Sequence, residues 1–372
     1  MTKPTSIERD PLYVVAPPIV TDKTKRFGHI IVWGTFTLMF LLAIIQFLNT
    51  NELITFGFKT WRPVLYAYIL WACAIGYSRV LIYGEKGKRT LFVFPAVMFI
   101  LSIVIFPMLF GLYISFTDWN LSSIDGREFN GLDNFYQMIS DPYYWNALKN
   151  MIYYVLAVLV EFAIAFLLAL LLNSQIRGRK FFRIAFLIPL MLSPVAVSWM
   201  VGKSMLEQRF GPVANLGRFL GWETPTFFSS PEIARLTMMC MDAWTFIPLM
   251  IIMLLAGLQA LPKEVLEAAK VDGANKWTMF KNIIFPIMLP VSLTTLVIRI
   301  IFKLKLADII IIVTAGGPGG ATDSVTSFIV REYRDRSNVG YGTLLSFVYL
   351  ILIIIFMTIL IRFVNRWLQR AA

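Results

Sequence analysis

Long apolar runs alternate with short polar connections along the chain, and eight runs of about 20 or more residues organise it: 29–48, 63–83, 91–116, 147–172, 182–203, 235–258, 283–303 and 343–364. A helix needs roughly 20 apolar residues to cross a bilayer core, so each run predicts one transmembrane α-helix. The expected fold class is all-α, a polytopic helical membrane protein, and eight crossings return both termini to one side. The polar stretch 1–28 exceeds the n-region of a cleavable signal, and the run after it is too long for an h-region, so it is expected to stay as a tail. No internal repeat, Gly/Ser linker or low-complexity tract divides the chain. The expected organisation is a tail at 1–28, two accessory helices within 29–89, a six-helix core at 90–366 and a tail at 367–372.

Composition agrees with this pattern. Of 372 residues, 58% are hydrophobic and 15% charged, more apolar surface than a soluble core of this size could hide. The net charge of +12 is spread at the flanks of apolar runs, which reads as topology and argues against nucleic acid. Lys23, Lys25 and Arg26, Lys86, Lys88 and Arg89, Arg177, Arg179, Lys180 and Arg183, and Lys263, Lys270, Lys276 and Lys281 all fall in connections of one parity, with Arg366 and Arg370 at the tail. These are expected to be cytoplasmic, with both termini. The long connection 117–146, carrying Asp118, Asp125, Glu128, Asp133 and Asp141, is then outside. Arg331, Arg334 and Arg336 conflict with the scheme, because alternation puts them outside too.

Cys73 and Cys240 lie inside apolar runs without a close partner, so buried packing is expected and a zinc or redox motif is not. His29, the one histidine, begins the first run at an interfacial position. No phosphate-binding loop, H-E-x-x-H pair or triad can be assembled, so the chain is not expected to be an enzyme. Gly316–Gly320 has no Lys-Ser/Thr after it and reads as a turn.

One cytoplasmic connection, 259–282, is long and strongly patterned. Pro262 suits a helix start, Lys263 to Val271 are good helix formers with Glu264 and Glu267 near the favourable end, and Asp272-Gly273 stops the helix. A second short helix through Trp277 and Phe280 leads into Pro286 and Pro290. From the residues alone this helix-turn-helix elbow either transmits a push from a cytoplasmic partner or rests on lipid headgroups.

Glu267-Ala268-Ala269, Asp272-Gly273-Ala274 and Ile287-Met-Leu-Pro290 resemble the EAA motif of bacterial ABC-importer permeases. Trp145 to Asn150, Arg183 with Pro189 and Pro194, Ala256 to Gln259, Thr314 to Pro318, Thr322 and Gly340 to Gly342 are similar to the carbohydrate, maltose-type branch. The resemblance covers roughly 90–365. It implies an inner-membrane permease whose elbow docks on an ATPase through Glu267, Ala268, Ala269, Asp272, Gly273 and Pro290. It also implies a second, six-helix permease, two copies of the ATPase holding ATP and Mg, a periplasmic solute-binding protein and no cofactor in this chain. Eight spans match the larger member of the usual permease pair, and the implied substrate is a sugar or sugar derivative.

An ionisable group within a span is costly and should face a pore or a partner unless it snorkels. Glu161 lies deep in the fourth run, where helix-helix bonding competes with substrate contact. Lys203 ends the fifth run, and Asp242 with Trp244 lies in the sixth. Arg299, Lys303 and Lys305, followed by Asp308, depart from the family's apolar or amide-bearing residues in this stretch. Arg299 and Lys303 share a helix face. They line a path for an anionic group on the sugar, or else they snorkel and pair with Asp308 or the partner permease. The rival function is a secondary transporter for a small polar solute, which needs no patterned elbow and shows two related halves.

Overall fold

The computed structural model describes residues 21–50, 53–124 and 126–371. The expected tail 1–28 therefore lies outside the described residues up to position 20. The chain divides into two compact units, Met1–Phe110 and Gly111–Ala372.

The first unit holds α1 (Asp22–Thr50), α2 (Arg62–Tyr83) and most of α3 (Gly87–Ile114). The first helix expected in the core thus groups with the two accessory helices. The buried Gln46 amide closes the turn between α1 and α2: its Nε2 donates to the Phe58 carbonyl and its Oε1 accepts from the Phe58 N–H, each at 3.1 Å. Tyr68 and Ser102 link α2 to α3 through hydroxyls 2.7 Å apart. A π-helical stretch, Leu101–Ile105, interrupts α3.

The second unit contains α4 (Pro142–Asn173), α5 (Arg179–Met191), α6 (Pro194–Met205), α7 (Pro231–Gln259), α8 (Lys263–Val271), α9 (Lys276–Met279), α10 (Phe285–Leu304), α11 (Asp308–Val313), α12 (Val325–Arg334) and α13 (Val339–Ala371). Three of these begin with a side-chain cap followed by proline at the first helical position: Asp141-Pro142, Ser193-Pro194 and Ser230-Pro231. The cap satisfies a free N–H, and proline has none to lose there.

Among the described residues, six helices are long and apolar enough to cross a membrane. A seventh is reached if α5 and α6 form one crossing; they bend by 97°. The bend has a local cause. Leu192 and Ser193 are extended, as the residue before a proline prefers, and Pro194 starts the next helix. The count falls short of the eight apolar runs. Run 283–303 is α10, a helix of 20 residues with Arg299 and Lys303 fully buried, and it is not among the six or seven.

Two further expectations are corrected. Cys73 and Cys240 are exposed on the chain's surface, not packed inside. On a spanning helix the outward face is as apolar as the inward one, so an apolar run does not say which way a thiol points. The expected C-terminal tail at 367 is also not separate, since α13 continues to Ala371.

The core of the second unit has two hydrophobic clusters. One gathers Tyr144, Tyr154 and Val158 of α4, Met238 and Met241 of α7, Ile300 and Leu304 of α10, and residues of α11 to α13. The other gathers Ala165, Phe166 and Ala169 of α4, Met250, Leu254 and Leu258 of α7, and Met288 of α10, with Leu266, Phe280 and Ile284 of the elbow against it. On each of α4, α7 and α10 the clusters follow one another along the helix. The buried charged residues of these helices, Glu161, Asp242, Arg299 and Lys303, fall at or beside the seam.

Candidate functional site

Glu161 of α4, Asp242 of α7 and Arg299 and Lys303 of α10 meet at that seam and form one buried ionic group. Arg299 Nε donates to Glu161 Oε2 at 2.7 Å, Lys303 Nζ donates to Glu161 Oε1 at 2.7 Å, and both cations also bond Asp242 Oδ2. Each cation thus touches each carboxylate, and the formal charges sum to zero. Arg299 and Lys303 are 0% exposed, Asp242 1% and Glu161 3%. The i, i+4 spacing puts both cations on one face of α10, and the guanidinium also lies over the Phe246 ring, 4.7 Å from its centre. Phe246 in turn stacks on Phe302 at 5.8 Å.

This arrangement corrects the expected ion pairs. Arg299 and Lys303 do not pair with Asp308, which is exposed in the first turn of α11, and Lys305 is exposed at the C-terminal cap of α10. Trp244 is exposed, although Asp242 two residues earlier is buried. The six candidates for a substrate path therefore separate into a closed interior group and three surface residues. Phe246 was missed because nothing in its local sequence marks it. Lys203 is exposed and lines a cavity of about 320 Å³ with Glu207, Gln208, Thr226 and Ser229.

The elbow forms as the residues predict. Helix α8 ends in a Schellman turn: Ala274 N–H bonds the Ala269 carbonyl at 2.9 Å and Gly273 N–H bonds Lys270 at 3.1 Å. Gly273 has φ of +78°, a conformation that a side chain resists. Asn275 caps α9 by accepting from Thr278 N–H at 2.8 Å. Glu267, Ala268, Asp272 and Gly273 are exposed, whereas Ala269 is buried against its own chain, so only one of the two alanines faces outward. Val271 and Trp277 are 88% and 68% exposed, an apolar patch around the turn. A π-helical stretch, Phe280–Ile284, joins the elbow to α10, and Pro290 is exposed one turn into that helix.

At the other end of α4, the glycine-rich segment is a turn held by side chains. Asn146 and Asn150 donate to the Gly320 carbonyl at 2.7 and 3.1 Å, Asn150 also to Asp323 at 3.0 Å, and Tyr154 to the Thr322 carbonyl at 2.7 Å. Gly316 has φ of +85°, and a Cβ there would collide with the Asp323 carboxylate. Burial pushes the Asp323 carboxyl up to about 6 despite its bonds to Arg331 and Ser327. The arginines that conflicted with the charge scheme are each paired nearby, Arg331 with Asp323, Arg334 with Asp335 and Arg336 with Glu332.

Comparison with known proteins adds the following. The model of the family described as "Binding-protein-dependent transport system inner membrane component" matches residues 81–371. The trehalose/maltose transport system permease protein MalF of Thermococcus litoralis is 30% identical over 275 residues, 74% of this chain and 92% of that protein. The sulfoquinovosyl glycerol transport system permease protein SmoG of Agrobacterium fabrum is 30% identical over 273 residues, 73% of this chain and 88% of that protein. Among solved structures, a bacterial alginate ABC transporter in complex with an alginate pentasaccharide-bound periplasmic protein contains a chain with a TM-score of 0.63. At 22% identity, covering 84% of this chain and 98% of that one, the likeness speaks to the fold.

Proposed function

Starting from the chain's membership of the family of binding-protein-dependent transport system inner membrane components, we propose that it is a permease subunit of an ATP-driven importer for a sugar or sugar derivative. The family is a permease component and multi-pass in the inner membrane. On this reading hydrolysis resides in two copies of a separate ATPase, a second permease completes the pore, a periplasmic binding protein delivers substrate, and both termini are cytoplasmic. The observation that carries it is the elbow, which presents Glu267, Ala268, Val271 and Trp277 outward between α7 and α10. The relatives named for trehalose/maltose and for sulfoquinovosyl glycerol support a sugar-type substrate.

The mechanism follows from how the elbow is anchored. Its two ends continue into α7 and α10, and Asp242 lies 17 residues before Gln259, about 25 Å up the helix at 1.5 Å per residue. The ionic group ties that depth of α7 to α10 and α4. A push on the elbow then moves the three helices together, and access alternates by displacement of a body. The cations are neutralised by their own chain in this conformation, so the reading does not need an anionic substrate. Trp244, Lys305 and Asp308 are the accessible members of the proposed substrate path.

Co-expression with a neighbouring permease and ATPase, followed by ATPase assays with binding protein loaded with neutral or anionic sugar, tests the proposal. Stimulation by one loaded binding protein is expected and identifies the substrate class. Uptake by the chain without any ATPase would overturn it in favour of a secondary transporter.

A further inference from the structure

A cavity of about 260 Å³ opens beside the root of the elbow. Its wall is apolar, built from Leu172 at the end of α4, Phe186 of α5 and Ile251 and Leu255 of α7. Two polar side chains line it as well, Arg183 of α5 and Gln259, where α7 passes into the elbow. Arg183 Nε and Nη2 are buried without a hydrogen-bond partner, and so is Nε of Arg179, one turn earlier on the same helix. Among the described residues neither arginine is in an ion pair. Guanidinium donors shielded from water and unbonded are costly. Arg183 faces a space whose lining is otherwise hydrocarbon apart from Gln259, and Arg179 lies one turn away on the same helix.

We propose that this cavity is a binding site for an anionic phospholipid, with an acyl chain against the apolar wall and the phosphate on the Arg183 and Arg179 guanidinium groups. A planar guanidinium matches phosphate oxygens with paired N–H donors. The basic residues begin where the apolar run 182–203 begins, which is the depth of a headgroup, and Arg177 and Lys180 add exposed positive charge beside them. A free phosphate would satisfy the guanidinium groups but would leave the hydrocarbon wall unused, and the wall is what selects a lipid. Because Gln259 lines the same cavity, a lipid seated there touches the segment through which the elbow is attached. The site is thus placed to make the elbow's position depend on the lipid composition of that leaflet.

Native mass spectrometry of the detergent-purified protein, with whatever subunits accompany it, tests the site using phosphatidylglycerol and phosphatidylcholine of identical acyl chains. Phosphatidylglycerol is expected to bind more tightly. Arg183→Gln lowers its affinity about fivefold and the Arg179→Gln, Arg183→Gln pair about 25-fold, from the worth of one cation at a lipid surface, with phosphatidylcholine unchanged. Arg183→Lys retains most of the preference. Ala256→Phe, which narrows the cavity from an exposed position on α7, weakens both lipids without changing the preference. An unchanged preference in Arg183→Gln overturns the proposal. So does displacement by inorganic phosphate at the lipid's own concentration, which would make the site one for free anions. Loss of a partner subunit from Arg183→Gln with lipid retained would assign the guanidinium to a protein contact instead.

Discussion

The ionic group at the seam holds four charged residues and the elbow 259–282 holds seven, and the two regions treat them in opposite ways. Inside, Glu161, Asp242, Arg299 and Lys303 pair with one another and leave no net charge, although Arg299 Nη1 is buried without a partner. On the elbow, Lys263, Glu264, Glu267 and Lys270 are exposed, and the apolar Val271 and Trp277 stand out beside them. A region whose charges are matched within the chain holds the fold together. A region whose chemistry is left outward is built for something that arrives from outside.

The comparison predicts different failures. The largest is inside: Asp242→Ala leaves two buried cations facing one carboxylate and is expected to cost about 3–5 kcal/mol, read as a collapse of the thermal transition in detergent. Pairing Asp242→Asn with Lys303→Met removes one charge of each sign and should restore most of that loss, which a double-mutant cycle measures. A wild-type transition for Asp242→Ala would mean that the group is not a tie at all.

On the elbow, Glu267→Ala should leave the thermal transition within about 0.5 kcal/mol of wild type. It is expected to weaken ATPase association about 10- to 100-fold, the worth of a charged hydrogen bond of about 1.5–3 kcal/mol. Titration of the solubilised permease with ATPase reads this, and unaltered binding would remove Glu267 from the contact. Gly273→Ala is smaller, about 1–2 kcal/mol, because the left-handed turn resists a Cβ although the space around it is open.

The smallest effect concerns pH. The Asp323 carboxyl is raised to about 6, above the ordinary value near 4, so its protonated form favours the folded loop. That stabilisation is fully present below about pH 4 and is lost as pH rises through 6. Amide exchange in residues 316–324, corrected for intrinsic rate, should be faster at pH 7 than at pH 5. Asp323→Asn should abolish the difference, and a dependence that survives the substitution would place the titration elsewhere.

The sequence made the helices and the elbow legible because both are local. Run length predicts a spanning helix, and Asp272-Gly273 predicts its turn, from residues a few positions apart. Arg299 and Lys303 were legible as sharing a face but not as partners of Glu161 and Asp242, which lie 138 and 57 residues from Arg299. Only packing decides which helices adjoin. The bend at Leu192-Ser193 was not expected either, although Pro189 and Pro194 sit in plain view, because prolines are tolerated in spanning helices and do not by themselves break one. The outward face of Cys73 and Cys240 was hidden for a related reason, since lipid offers no polar contrast to orient a helix.

The sequence separation inside the ionic group also sets an order of events at the ribosome. Glu161 is made 138 residues before Arg299, an interval of about 7–28 s at roughly 5–20 residues per second. During that time α4 offers the insertion machinery a carboxylate with no cation to meet it, at a cost of a few kcal/mol for a charge at mid-membrane. The Asp242 carboxylate follows, and the two cations come last, on a single helix. Until α10 is threaded, α4 and α7 carry uncompensated acid, and its arrival neutralises both at once. Membrane integration of this chain therefore has a late closing step, and a nascent chain stopped short of Arg299 is expected to hold α4 less firmly than one that includes Lys303.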